Sequence, residues 1–328
     1  MQPMAVRKTE RRIPDGLVPG DLGEAVMAAD GRCALVSFTT SPLVSGRDNT
    51  YVLFVTDPGL AAGATSYEWS ISENGAAANV QTTDQGELAY APTATGQLSL
   101  TVRVLDAGNS EQASLTLAQQ IAPLQAEIEA AIAEARNETG PGIGNPDVAR
   151  EIVNDHSPYH QDITMQHPES DDAFQRFLFG VLYGGAVQQP PPRRKEQLDR
   201  IADALNDDGS GFKDAVLGGI GLCGIRLPLL AMTRSQLSWT ELPQANAERV
   251  AADEQLRESL AALDESARID LFNLVRFPKS NVAQTARIIE ALRDRYFSGA
   301  SFHDVITGMN GTRAFWITRH FREGPLVT

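Results

Sequence analysis

The amino-acid sequence predicts a multidomain protein, all-β and then all-α: a β-sandwich followed by a helical domain with a duplicated helical hairpin. Three observations carry this. Between residues 34 and 118, short runs alternate apolar with polar side chains, the period-two pattern of half-buried strands. After Gln120 the apolar spacing changes to the three-and-four rhythm of helices. Within the helical part, two stretches match one another in residue type.

Length and composition agree with several domains. The chain has 328 residues, of which 42% are hydrophobic, enough for ordinary cores. Residues 1–33 read as an N-terminal arm, because Pro14, Gly16, Pro19 and Gly20 punctuate it; one short helix is expected within 17–29. Residues 34–120 form the sandwich, 121–145 a linker helix and 146–328 the helical domain.

The strand runs are 34–38, 51–56, 67–72, 78–82, 88–90, 98–105 and 113–118. Ser41-Pro42, Asp57-Pro58-Gly59, Glu73-Asn74-Gly75 and Gly108-Asn109 separate them as turns. Regularly spaced short strands with such turns are what a seven-stranded sandwich requires.

Three features of this segment resemble a family. They are Tyr67-x-Trp69-Ser70-Ile71, Gly96-x-Leu98-x-Leu100-x-Val102-x-Val104-x-Asp106 and the Asp57-Pro58-Gly59 turn. Together they look like a PKD-type or related bacterial immunoglobulin-like domain, over about a quarter of the chain. The resemblance implies an immunoglobulin-like β-sandwich with Trp69 in its core, serving as a binding or spacer module.

Pro123 sits near the first turn of the linker helix, and Gly140-Pro141-Gly142 ends it. Beyond it, helices are expected at 172–183, 194–206, 212–219, 246–263, 267–277, 282–297, 302–309 and 312–322. The two related units span about 172–222 and 268–311. Residues 200–207 (RIADALND) align with 287–294 (RIIEALRD), and 212–218 (FKDAVLG) with 302–308 (FHDVITG). One helix pair cannot bury its apolar face alone, so the two units are expected to pack together. The pattern is similar to small helical repeat units of bacterial extracellular proteins, a likeness that implies scaffolding or adhesion.

Candidate chemistry is sparse. His156, His160 and His167 lie among Asp155, Asp162, Glu169, Asp171 and Asp172, donor types that suit zinc or a related metal. His156 and His160 have the spacing of one helix face, but Pro158 between them favours a turn, and a solvated loop is the plainer reading. The run 206–211 (NDDGSG) resembles part of a calcium loop, yet Ala215 stands where the loop's Glu belongs, so a turn is expected. Pro190-Pro191-Pro192 reads as a stiff connector. Near the C-terminus, Phe315, Trp316, Arg319 and Phe321 are residue types that anchor partners, and equally suit a helix packed on its own domain.

Cys33 and Cys223 fall in different domains, so two buried thiols are expected, and two cysteines alone make no Cys-based zinc site. There is no Gly-x-Ser-x-Gly elbow, P-loop or dinucleotide fingerprint, and no cofactor is expected. The net charge of −14 disfavours nucleic acid and anionic membrane surfaces. No run is long and apolar enough for a transmembrane segment, and no secretory signal is read. The expected compartment is therefore intracellular, or outside by a signal-independent route.

The function these readings imply is a non-enzymatic binding or structural protein. It presents the sandwich or the helical domain to a protein partner or a surface polysaccharide, within a large extracellular or phage-like assembly. The alternative is a cell-wall or polysaccharide hydrolase, its site near His156–Asp172 and the sandwich accessory.

Overall fold

A computed structural model describes residues 12–123, 191–239 and 246–296. The chain divides into two compact units, one of residues 1–131 with 277–279, the other of 132–276 with 280–328.

The first unit is built from two sheets. In chain order its elements are α1 (Pro19–Leu22), β1 (Glu24–Met27), β2 (Cys33–Ser37), β3 (Leu43–Val44), β4 (Asn49–Val55), α2 (Pro58–Gly63), β5 (Ser66–Glu73), β6 (Asn79–Thr83), β7 (Glu87–Tyr90), β8 (Gly96–Leu105) and β9 (Glu111–Ala122). One sheet has the order β1-β2-β4-β7, the other β3-β9-β8-β5-β6. Neighbours are antiparallel throughout, save the two-residue β3, which runs parallel to β9.

Alternation explains the five-stranded sheet. Tyr67, Trp69 and Ile71 of β5, Leu98, Leu100, Val102 and Val104 of β8, and Leu115, Leu117 and Ile121 of β9 are all buried, while the residues between them are not, apart from Gln119. They share one core with Cys33, Leu35, Tyr51, Leu53 and Val55 of the other sheet. Trp69 is fully buried, as expected, and its indole N–H donates to Thr83 Oγ1 at 2.9 Å.

The four-stranded sheet departs from alternation. All five residues of β2 are buried, as are six of the seven of β4. A second apolar patch with Leu22, Val36, Val52 and Phe54 covers the opposite face, with Ile13, Leu17, Ala25 and Phe38 partly buried against it. A strand covered on both sides reads as a continuous apolar run.

The lead-in therefore contributes to the sheets rather than forming only an arm. The helix expected within 17–29 is a single turn, and 24–27 is a strand pairing with β2. Gly23 permits the approach, because a Cβ there would lie 1.9 Å from the Ser37 carbonyl oxygen. The strand set also gains β3. The Asp57-Pro58-Gly59 segment opens α2: Asp57 Oδ1 accepts from Leu60 N–H at 2.7 Å and Pro58 takes the first helical position.

The second unit is helical among its described residues. It holds α3 (Pro191–Asn206), α4 (Phe212–Ala215), α5 (Leu227–Thr233), α6 (Asn246–Ala261), α7 (Glu265–Arg276) and, from Ser280 onward, α8 (Pro278–Tyr296). Its buried side chains include Ile201, Leu205, Phe212, Leu230, Leu260, Phe272, Leu274, Ile288 and Leu292.

Two expectations are corrected here. Pro191 and Pro192 are not a connector but open α3, where proline is tolerated because first-turn N–H groups have no intrahelical partner. The helix expected over 212–219 stops at Ala215. Gly218, Gly221 and Gly224 then take positive φ, and Ile220 bridges Ile225. The α5 helix that follows was not foreseen. Residues 200–207 lie on and just beyond α3, and 287–294 on α8. The matching 302–308 segment lies outside the described residues, as does most of the expected linker helix.

Candidate functional site

In the first unit, burying every second residue of β5, β8 and β9 sends the intervening ones to the sheet's outer face. Those residues are mainly hydroxyl-bearing and sit in cross-strand rows. Ser70 lies opposite Val80 on one side and Thr101 on the other, and Thr101 lies opposite Thr116. The next rows set Ser72 beside Ser99 and Ala118, and Thr82 beside Glu68, Arg103 and Ser114. The Thr101 and Thr116 hydroxyls are 2.8 Å apart. Arg103 pairs with Glu68, its Nε 2.9 Å from Oε1, and lies 3.7 Å from Glu111.

Short Ser and Thr side chains lose little rotamer entropy and both donate and accept hydrogen bonds. Apart from exposed Val80 and the Glu68–Arg103 pair, these rows form a polar, low-relief platform. No aromatic side chain stands in these rows for a sugar ring to stack on.

Beneath this face one polar network closes around Gln119. Gln119 occupies a core position of β9. Its Oε1 accepts from the Tyr51 hydroxyl at 2.9 Å, and its Nε2 donates to Glu24 Oε2 at 2.9 Å, Thr39 O at 2.9 Å and Ser37 Oγ at 3.2 Å. Asn49 Nδ2 donates to Ser37 Oγ at 2.7 Å. Burial pushes the Tyr51 phenol above its ordinary range. Closed in this way, the network ties β1, β2, β4 and β9 together. Its sequence signal is an amide where the alternation of 113–121 calls for an apolar side chain.

Glu73 clasps the loop before β8. Its carboxylate accepts from Tyr90 Oη at 2.6 Å, Thr93 N at 2.8 Å, Thr93 Oγ1 at 3.0 Å and Ala94 N at 2.8 Å. Desolvation alone would raise its pKa, but these donors outweigh it and hold the carboxyl below its usual value. Desolvation first, and then the bond to Glu73, pushes Tyr90 up to about 12.

Among the described residues of the second unit, several buried polar side chains hold the fold. Asn281 Oδ1 accepts from Cys223 N at 2.8 Å, while its Nδ2 donates to Val275 O at 2.8 Å and Ile220 O at 3.2 Å. A Cβ at Gly221 would lie 2.3 Å from that Nδ2, so glycine is required there for space as well as for its φ of +73°. Asp253 pairs with Arg226 and lies 3.3 Å from Arg257 Nε. Arg257 also donates to Lys213 O at 3.3 Å. Burial, aided by the charge of Arg257, lowers the Arg226 pKa to about 10.

Cys33 and Cys223 are free and buried, as expected. Burial raises both thiols, Cys223 to about 12, and so disfavours their thiolate forms. The 206–211 run forms the turn after α3, with Asp208 Oδ1 accepting from Ser210 N at 2.8 Å. His156, His160 and His167, and Phe315, Trp316, Arg319 and Phe321, lie outside the described residues. Among the described residues, no three His, Cys, Asp or Glu side chains gather as a metal site, and no helix is long and apolar enough to cross a membrane.

Compared with known proteins, the chain matches no protein family, no curated protein and no solved structure.

Proposed function

We propose that the protein is a non-enzymatic binding or structural component whose first unit, an immunoglobulin-like sandwich, presents the outer face of its five-stranded sheet to a protein partner. The observation that carries this is the set of rows joining Ser70, Thr101 and Thr116, and Ser72, Ser99 and Ala118: small side chains, five of the six bearing a hydroxyl. Such a face lets another polypeptide approach closely and be read by hydrogen bonds. A protein partner is favoured over a surface polysaccharide because the rows offer no aromatic ring for stacking. The partner is part of a large assembly, to which this chain adds a rigid module. The hydrolase alternative draws its site from His156–Asp172, and no described observation favours it.

Cross-linked capture from the native source tests this, using the full-length protein and a Thr101→Arg/Thr116→Arg variant. The reading expects stoichiometric capture of a defined protein by the wild type and its loss in the folded variant. Equal capture by both, or retention of insoluble cell-wall glycan alone, would overturn it.

A further inference from the structure

The turn after β5 holds a reactive dipeptide, Asn74-Gly75, the one Asn-Gly pair among the described residues. Both residues are exposed and take positive φ, 53° and 73°. Ala76 N–H donates to Glu73 O at 2.9 Å and closes the turn. Among the described residues, nothing accepts a hydrogen bond from the Gly75 N–H. The Asn74 carboxamide, by contrast, is seated on the chain entering β8. Its Oδ1 accepts from Gln97 N–H at 2.8 Å, and its Nδ2 donates to Thr95 O at 2.8 Å. Gly96 makes room for it, because a Cβ there would collide with Oδ1. The neighbouring Glu73 carboxylate accepts from Thr93 N and Ala94 N. One turn thus fastens residues 93–97, a strap on the path from β7 in one sheet to β8 in the other.

We propose that Asn74 is a self-modification site gated by this turn: it deamidates when the turn opens, and the product cannot fasten the strap again. The Gly75 nitrogen attacks the Asn74 side-chain carbonyl carbon. The bond to Nδ2 breaks, and Nδ2 leaves as ammonia with the proton given up by Gly75. Water then opens the five-membered ring at either carbonyl carbon, giving aspartate or isoaspartate. Glycine suits the nucleophile, since no side chain shields its nitrogen. Ring closure needs that nitrogen eclipsed with the Asn74 Cβ, whereas left-handed backbone sets the two nearly opposite. The fold therefore holds the reaction back until the turn opens, and an exposed turn opens at small local cost. After reaction the side chain is a carboxylate with no proton to donate to Thr95 O. Isoaspartate also lengthens the main chain by one methylene, which a turn closed by Ala76 N–H does not accommodate. The change runs one way and accumulates with time, so the strap carries its own timed release. This goes beyond the outer-face reading and does not depend on what that face binds.

Peptide mapping by mass spectrometry tests this on full-length protein aged at mildly alkaline pH. Three samples are compared: folded wild type, denatured wild type and Gly96→Ala, whose added methyl unseats the carboxamide. Conversion at residue 74 should be at least about tenfold slower in the folded wild type than in the denatured chain. It should be faster in folded Gly96→Ala than in folded wild type. In Asn74→Asp, a stable copy of one product, amides in 93–97 should exchange faster than in the wild type. Equal conversion in folded and denatured wild type would overturn the gate, as would a folded Gly96→Ala that converts no faster. Absence of conversion in the denatured chain would overturn the site itself. Unchanged exchange at 93–97 in Asn74→Asp would overturn the release. If Gly96→Ala does not fold, Glu73→Ala takes its place under the same criterion, because it removes the clasp on Thr93 and Ala94.

Discussion

The two units handle buried polar groups differently. In the β unit the core between the sheets is apolar in its middle, and the Glu24–Gln119–Tyr51 network lies among four strands with its hydrogen bonds met. In the helical unit polar side chains run through the interior: Arg226, Asp253, Asn281 and Thr285 are all buried. Gln197, Ser280 and Gln284 each bury an oxygen with no hydrogen-bond partner among the described residues. The contrast shows where specificity resides. Period-two burial fixes which face of a strand is inside, and a slip of one residue would expose the whole set. A helical core has no such constraint, and here a glycine-rich loop is fixed by one amide, Asn281.

Substitutions can break this contrast. The largest effect is expected from Trp69→Ala, which empties the centre of the apolar core and should cost about 3–5 kcal/mol in denaturant unfolding of the β unit. A loss under 1 kcal/mol, by contrast with that estimate, would mean the two sheets do not depend on that core. Asn281→Leu comes next. It is apolar and close in volume, so a core sorted by hydropathy alone would accept it. The hydrogen bonds predict otherwise: Cys223 N, Ile220 O and Val275 O lose their partner inside the protein, at a cost of about 3 kcal/mol. Unchanged stability would dissolve the distinction between the units.

A smaller effect, set by pH, belongs to Glu73. Its folded-state pKa is depressed, so it stabilises the fold above its unfolded-state value and loses that contribution as pH falls through the folded-state value. An acid titration of stability should therefore be flatter in Glu73→Gln than in the wild type below about pH 4.5, with the variant less stable at neutral pH. Parallel curves would show that the clasp carries no linkage. The smallest effect is expected at Glu68→Ala. Its pair with Arg103 is part-exposed on the outer face, so the change should be at most about 1 kcal/mol and should shrink with added salt.

Legibility in the sequence follows the same line. The seven strand runs are all present because alternation and turn residues mark them locally. β1 was missed because its signal is a close approach at Gly23 and a side-chain anchor, Glu24, whose partners are Ser41 and Gln119. Neither is visible without the pairing. α3, α6, α7 and α8 follow helical spacing, whereas the loop at 218–226 depends on positive-φ glycines and an amide from α8. The hydroxyl rows could have been read from Ser70, Ser72, Ser99, Thr101 and Thr116 once the inward set was known. Their alignment across strands needed the register. The histidine segment and the aromatic C-terminal segment, which drew attention in the sequence, lie outside the described residues.

The central claim is that the outer face of the five-stranded sheet carries the binding role. Its most direct test is hydrogen exchange of the full-length protein, alone and with the partner captured by cross-linking. The account predicts slowed exchange in the strands that bear the rows, 66–72, 97–103 and 114–120. Slowing confined to residues 191–296, with those strands unchanged, would contradict it.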